Sequence, residues 1–121
     1  MRAYCFSFFV IVALAAWCPI AGAVDCTYPK APDSVPDGKT ASEADMIAAM
    51  TVFKQYNSDV TAYLACLDQE TAEKVKEAGG STGTIMQIKS LQSKKYNSAV
   101  EELKSTTGKF NEEVRAFKSR K

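Results

Sequence analysis

The chain has 121 residues, with 15 basic and 14 acidic side chains and no histidine. That length predicts a single domain, and a charge so near zero argues against nucleic acid or an anionic membrane as the main partner. The missing histidine removes the commonest general base and the commonest metal ligand, so the reading is non-enzymatic, with no cofactor and no metal.

Residues 1–23 read as a secretory signal peptide. Arg2 precedes the apolar run Cys5 to Trp17, and Pro19 leads to "AGA", Ala21 to Ala23, an A-x-A cleavage site. The run is shorter than the roughly 20 residues of a membrane-spanning helix, and no second one follows. A lipid-modified cysteine would want a small residue before it, where Cys18 has Trp17 and Cys26 has Asp25. The expected product is periplasmic or secreted after cleavage near Ala23, without stable membrane anchoring.

Cleavage removes Cys5 and Cys18 and leaves Cys26 and Cys66. In an oxidising compartment the pair reads as one disulfide, with free thiols or an intermolecular bond as the alternatives. Residues 24–39, "VDCTYPKAPDSVPDGK", contain Pro29, Pro32 and Pro36 and predict an extended arm ending in a turn at "PDG".

Residues 40–121 predict a helical hairpin. "TASE", Thr40 to Glu43, is a capping box that starts helix 1, about 41–78. Met46, Met50, Phe53, Asn57, Val60, Leu64 and Leu67 follow at alternating steps of 4 and 3, the spacing of one face against a partner helix. Asn57 in that row reads as a register-fixing polar contact, and Met46 and Met50 as core. "LDQET" leaves a break near Asp68 open. "GGSTG", residues 79–83, is a turn; as a phosphate loop it lacks the Lys-Ser or Lys-Thr pair and a preceding strand.

Helix 2, about 84–119, has Tyr96, Ala99, Leu103, Thr107, Phe110, Val114 and Phe117 at steps of 3 and 4, with Ile85, Ile88 and Leu91 toward the turn. Gly108 weakens it by about 1 kcal/mol relative to alanine. The fold class is therefore all-α, an antiparallel hairpin of two long helices. Residues 24–70 hold eight acids and three bases, and 71–121 eleven bases and six acids, so an acidic half is expected to fold on a basic half. Two helices bury one stripe each, which leaves dimerisation into a four-helix bundle open.

Cys66 falls off the seam, on a row of mostly small residues: Ala48, Val52, Gln55, Asp59, Ala62 and Cys66. From Thr40 to Cys66 the helix rises about 39 Å. The arm from Cys26 to Thr40 reaches at most roughly 46 to 50 Å. The lengths agree only if the arm runs back nearly straight in that alanine-lined groove, with Tyr28 near Tyr63 and Cys26 bonded to Cys66. Closing such a loop contributes about 4 kcal/mol in the chain-entropy model.

No catalytic, cofactor-binding or metal residue is assigned. Glu101 with Glu102, and Glu112 with Glu113, are adjacent carboxylates that diverge by about 100° on a helix and are read as facing solvent. The closing "RAFKSRK" places Arg115, Lys118, Arg120 and Lys121 where bases complement the helix dipole; contact with an anionic surface such as lipopolysaccharide is the alternative.

"PDGKTASEADM", "YNSDVTAYLACL" and "FNEEVRAFKSRK" together resemble a group of small exported proteins of Gram-negative bacteria. The resemblance runs from about Pro29 to the C-terminus and rests on Pro36, Asp37, Gly38, Met46, Tyr63, Cys66, Leu67, Phe110 and Asn111. It implies compartment and fold and supplies no activity. The expectation is a helical binding or structural protein of the cell envelope, with a protein partner there or a second copy of itself. The rival is a small periplasmic chaperone that grips unfolded clients between its helices.

Overall fold

A computed structural model describes residues 25–120. The signal peptide read over 1–23 lies outside the described residues, as do Val24 and Lys121. Two helices follow the arm, α1 (Glu43–Glu77) and α2 (Thr82–Ser119), and they pack side by side. Their direction is antiparallel: Phe53 stacks on Phe110 at 4.4 Å between ring centroids, and Gln92 donates to Asp68 at 2.8 Å. α1 is continuous through Asp68, so the open question at "LDQET" resolves to unbroken helix.

The helix starts two residues later than "TASE" predicts. Asp37 is the reason: its carbonyl accepts from the Thr40 and Ala41 N–H groups at 3.1 and 2.8 Å, and its carboxylate accepts from the Lys39 N–H at 2.8 Å. With Thr40 and Ala41 held in that turn, the cap passes to Ser42. The Asp45 N–H donates to the Ser42 hydroxyl oxygen at 3.1 Å, and the Ser42 N–H donates back to the Asp45 carboxylate at 3.2 Å. The Ser42 hydroxyl also donates to the Asp45 carboxylate at 2.6 Å, and this bond, followed by that from the Ser42 N–H, holds the Asp45 carboxyl below its usual range.

At the other end Gly79 and Gly80 turn the chain with φ of 58° and 86°, a conformation side chains disfavour. The turn is shorter than 79–83, because Ser81 already caps α2 and Thr82 and Gly83 lie in its first turn.

A central row of α1, Met46, Phe53, Val60 and Leu67, is buried against α2, where Ala99 and Phe110 are buried in return. The arm fills one of the two long grooves between the helices. Cys26 and Ala31 pack on the cluster of Tyr56, Val60, Tyr63, Leu67 and Ala99; Val35 packs on Met46, Phe53 and Phe110. The Cys26–Cys66 disulfide holds the far end, with Cα atoms 5.8 Å apart. Tyr28 meets Tyr63 edge to face at 5.2 Å, as the reach argument predicts.

The arm nevertheless sits closer to α2 than the reading of an alanine-lined groove allows. Tyr28 Oη donates to Glu102 Oε2 at 2.5 Å, and the Gly38 N–H donates to Glu113 Oε2 at 2.7 Å. Arg120 donates to the carbonyls of Lys39 and Ala41 at 2.7 and 3.0 Å. Three α2 side chains thus hold the arm along its length. Ala48, Val52, Gln55, Asp59 and Ala62 remain exposed beside it.

Gly38 is the point of closest approach. A Cβ there would lie 1.9 Å from the Glu113 carbonyl oxygen and 2.9 Å from the Phe117 nitrogen, both backbone atoms of α2. Only glycine lets the turn rest on the helix. At Gly108 a Cβ would meet nothing within 4 Å.

Two substitutions of one methyl group therefore act in opposite directions. In urea unfolding, Gly38→Ala is expected to cost about 2–3 kcal/mol by forcing the arm off α2. Gly108→Ala is expected to gain about 0.5–1 kcal/mol. Reducing the disulfide, or replacing both Cys26 and Cys66 by serine, is expected to cost about 2–4 kcal/mol in the same measurement.

Candidate interaction surface

Around α1, residues seven apart lie nearly above one another, and rows three or four residues on flank them to either side. The arm-side row is Tyr56, Tyr63 and Glu70, all buried. The other row is Met50, Asn57 and Leu64, which the sequence places in the seam. Met50 is 43% exposed, Asn57 is exposed and Leu64 is half-buried, so this row forms the lip of an open groove.

Asn57 fixes no register within the chain. Its side chain is exposed, and its carbonyl accepts from the Thr61 hydroxyl at 2.9 Å, a bond local to α1. On α2 the open groove continues through Tyr96, Val100, Leu103, Thr107 and Val114. Tyr96 is 38% exposed, and the other four are half-buried. The hairpin therefore has one groove filled by the arm and one groove without an occupant among the described residues.

The filled side holds clefts between the arm and the small-residue row of α1. One of about 440 Å³ lies between Pro32, Pro36, Ala48 and Val52; another of about 520 Å³ lies between Tyr28, Lys30, Asp59 and Ala62. Acids line these clefts, and each is engaged. Asp33 pairs with Lys30 at 2.8 Å, Asp45 with Ser42, and Asp59 accepts from Gln55 at 2.8 Å.

Electrostatics divide the same way. Glu70 is buried beside Lys74, which bonds it, and Lys95 Nζ reaches the same oxygen from α2 at 3.5 Å. The Lys74 bond holds the Glu70 carboxyl below the usual carboxylate range. Lys74 and Lys95, both of the basic half, meet the acidic half at Glu70, while Lys89, Lys94, Lys104, Lys109 and Lys118 stay exposed. The charge split thus joins the halves at Glu70, and much of the positive charge remains on the surface.

The tyrosines of the arm side are shifted too. Tyr28 is pushed well above the ordinary tyrosine value by its bond to Glu102. Burial raises Tyr56, whose hydroxyl is enclosed without a hydrogen-bond partner among the described residues, and it raises Tyr63.

Of the residues singled out by sequence, Cys26 and Cys66 are brought together. The four glutamates divide: Glu101 and Glu112 face solvent, but Glu102 and Glu113 are half-buried and hold the arm. They lie eleven residues apart, three helical turns, so their shared face was readable once an arm was placed against α2. Arg120 does more than complement a dipole: besides its two carbonyl bonds it lies 4.7 Å over the Phe117 ring.

Among the described residues no group of three or more candidate metal ligands occurs, and no helix is long and apolar enough to cross a membrane. No family model, curated protein or solved structure matches the chain.

The lowered Glu70 value fixes the sign of a pH effect. A group with a depressed folded-state pKa stabilises the fold above its unfolded value, about 4.3 for glutamate, and loses that contribution as pH falls through the folded value. Thermal unfolding from pH 7 to pH 3 should show the melting temperature falling below about pH 4.3. Glu70→Gln should be less stable at pH 7 and show a shallower acid limb.

Proposed function

We propose that the chain is a non-enzymatic, exported helical protein of a Gram-negative cell envelope that works by contact with other proteins there. The observation that supports this reading most directly is the open groove. A disulfide-stapled hairpin spends its arm on one groove and presents the other, with apolar side chains at helical spacing, to the surroundings. Apolar rows of this kind on long helices are the usual recognition surface for another helix.

The disulfide supports export, because a bond of this kind persists in oxidising compartments. Signal cleavage near Ala23 would deliver the chain there, to the periplasm or beyond. A second reading, a small chaperone for unfolded clients, draws on Met50 and Met86, exposed methionines that adapt to varied apolar partners.

Expression of the full chain in a Gram-negative host tests the reading. Recovery from the periplasm or medium with an N-terminus at Val24, an intact disulfide, and photo-cross-linked adducts to envelope proteins is the expected result. A cytoplasmic chain with free thiols and no adducts would overturn it. Suppression of the aggregation of a reduced model protein would favour the chaperone; no suppression at excess chain leaves the interaction reading in place.

A further inference from the structure

We infer that the open groove is filled by a second copy of the chain, giving a four-helix bundle in which each α1 lies against the α2 of the other copy. This rests on the reading of the chain as an interaction protein and names its first partner.

The first argument is layer matching. Phe53 stacks on Phe110, and in an antiparallel pair every residue further along α1 lies level with one further back along α2. Met50 therefore lies within one residue of the level of Val114, Asn57 of Thr107, and Leu64 of Val100. A two-fold axis parallel to the helices, running along the open groove, keeps these levels in the second copy. Apolar layers then meet apolar layers at Met50 with Val114 and at Leu64 with Val100. Asn57 and Thr107 from both copies meet in one polar layer between them. A single polar layer in an apolar seam is the device that fixes register and oligomer state. It gives Asn57 the function its place in the heptad row predicts, between chains rather than within one.

The second argument is charge. By helical position, the open flank of α2 carries Lys89, Lys104 and Lys118 and no acid, while that of α1 carries Glu43 and Asp68 with Lys54. Laying α2 on the partner's α2 would set lysines against lysines. Laying α2 on the partner's α1 sets Lys118 toward Glu43 and Lys89 toward the Asp68 end. Lys54 and Lys104 lie further round, at the solvent edge. A face with one basic flank and one acid-bearing flank complements itself under this rotation, and it suits neither an anionic bilayer nor a uniformly acidic helix as well.

The third argument is size. Helices of 35 and 38 residues give a face about 50 Å long and about 20 Å across. That is about 1,000 Å² per copy and about 2,000 Å² in total, at the level of stable dimers.

Light scattering of the disulfide-bonded chain at about 50 μM is the test, and a mass of two chains is the expected result. Met50→Glu, a change at an exposed position, should give a single-chain mass with unchanged helical circular dichroism. Lys89→Glu with Lys118→Glu should raise the dimer dissociation constant at least tenfold. Val52→Glu, on the arm side, should leave the dimer intact. A single-chain mass for the unaltered chain at this concentration would overturn the inference, as would a dimer that survives Met50→Glu or is lost with Val52→Glu. A monomer that still yields envelope adducts removes the dimer and leaves the interaction reading standing; a dimer confined to the cytoplasm with free thiols does the reverse.

Discussion

The staple between Cys26 and Cys66 is the constraint from which the rest of the architecture follows. An extended, proline-containing arm has no hydrogen-bonded structure of its own and would not stay on a helix pair by weak contacts alone. Bonding its far end to α1, while the Asp37 turn and the Gly38 contact fix its near end, leaves it little freedom to wander. It then behaves as a third element. It covers Tyr56 and Tyr63, and it turns a two-helix hairpin with one buried stripe into a packed domain.

That placement also decides what the surface presents. Because the arm occupies one groove, the apolar residues of the opposite groove have no cover among the described residues. Met50, Leu64, Tyr96 and Val100 are left at the edge or in the open. The same asymmetry sorts the polar groups. Glu102, Glu113 and Arg120 are engaged with the arm, whereas Lys89, Lys104 and Lys118 remain exposed on α2. Structure and proposed activity thus share a cause. The covalent bond that supplies stability on one side leaves an open apolar groove on the other.

Much of this was legible in the sequence, because reach and periodicity are matters of length. Twenty-six residues of helix set against a fourteen-residue extended segment left room for little except an arm running back to Cys66, and Tyr28 fell beside Tyr63 as a result. Periodicity could not choose between flanks. The rows Met50, Asn57, Leu64 and Tyr56, Tyr63, Glu70 both keep a 4 and 3 rhythm with the central row, and only the position of the arm separates them. The capping box moved from Thr40 to Ser42 because a tertiary turn at Asp37 competes for the same N–H groups. Gly38 gave no warning of its role, since a glycine in "PDG" serves a turn equally well; its contact with α2 depends on residues 75 and more positions away.

The central claim is that the arm is a fixed element held between the helices, and amide hydrogen exchange at Gly38 measures it most directly. In the disulfide-bonded chain the Gly38 N–H donates to Glu113 in a half-buried site. It should exchange far more slowly than an unstructured glycine amide, and that protection should diminish when the disulfide is reduced. Exchange at the unstructured rate in the oxidised chain would contradict the account.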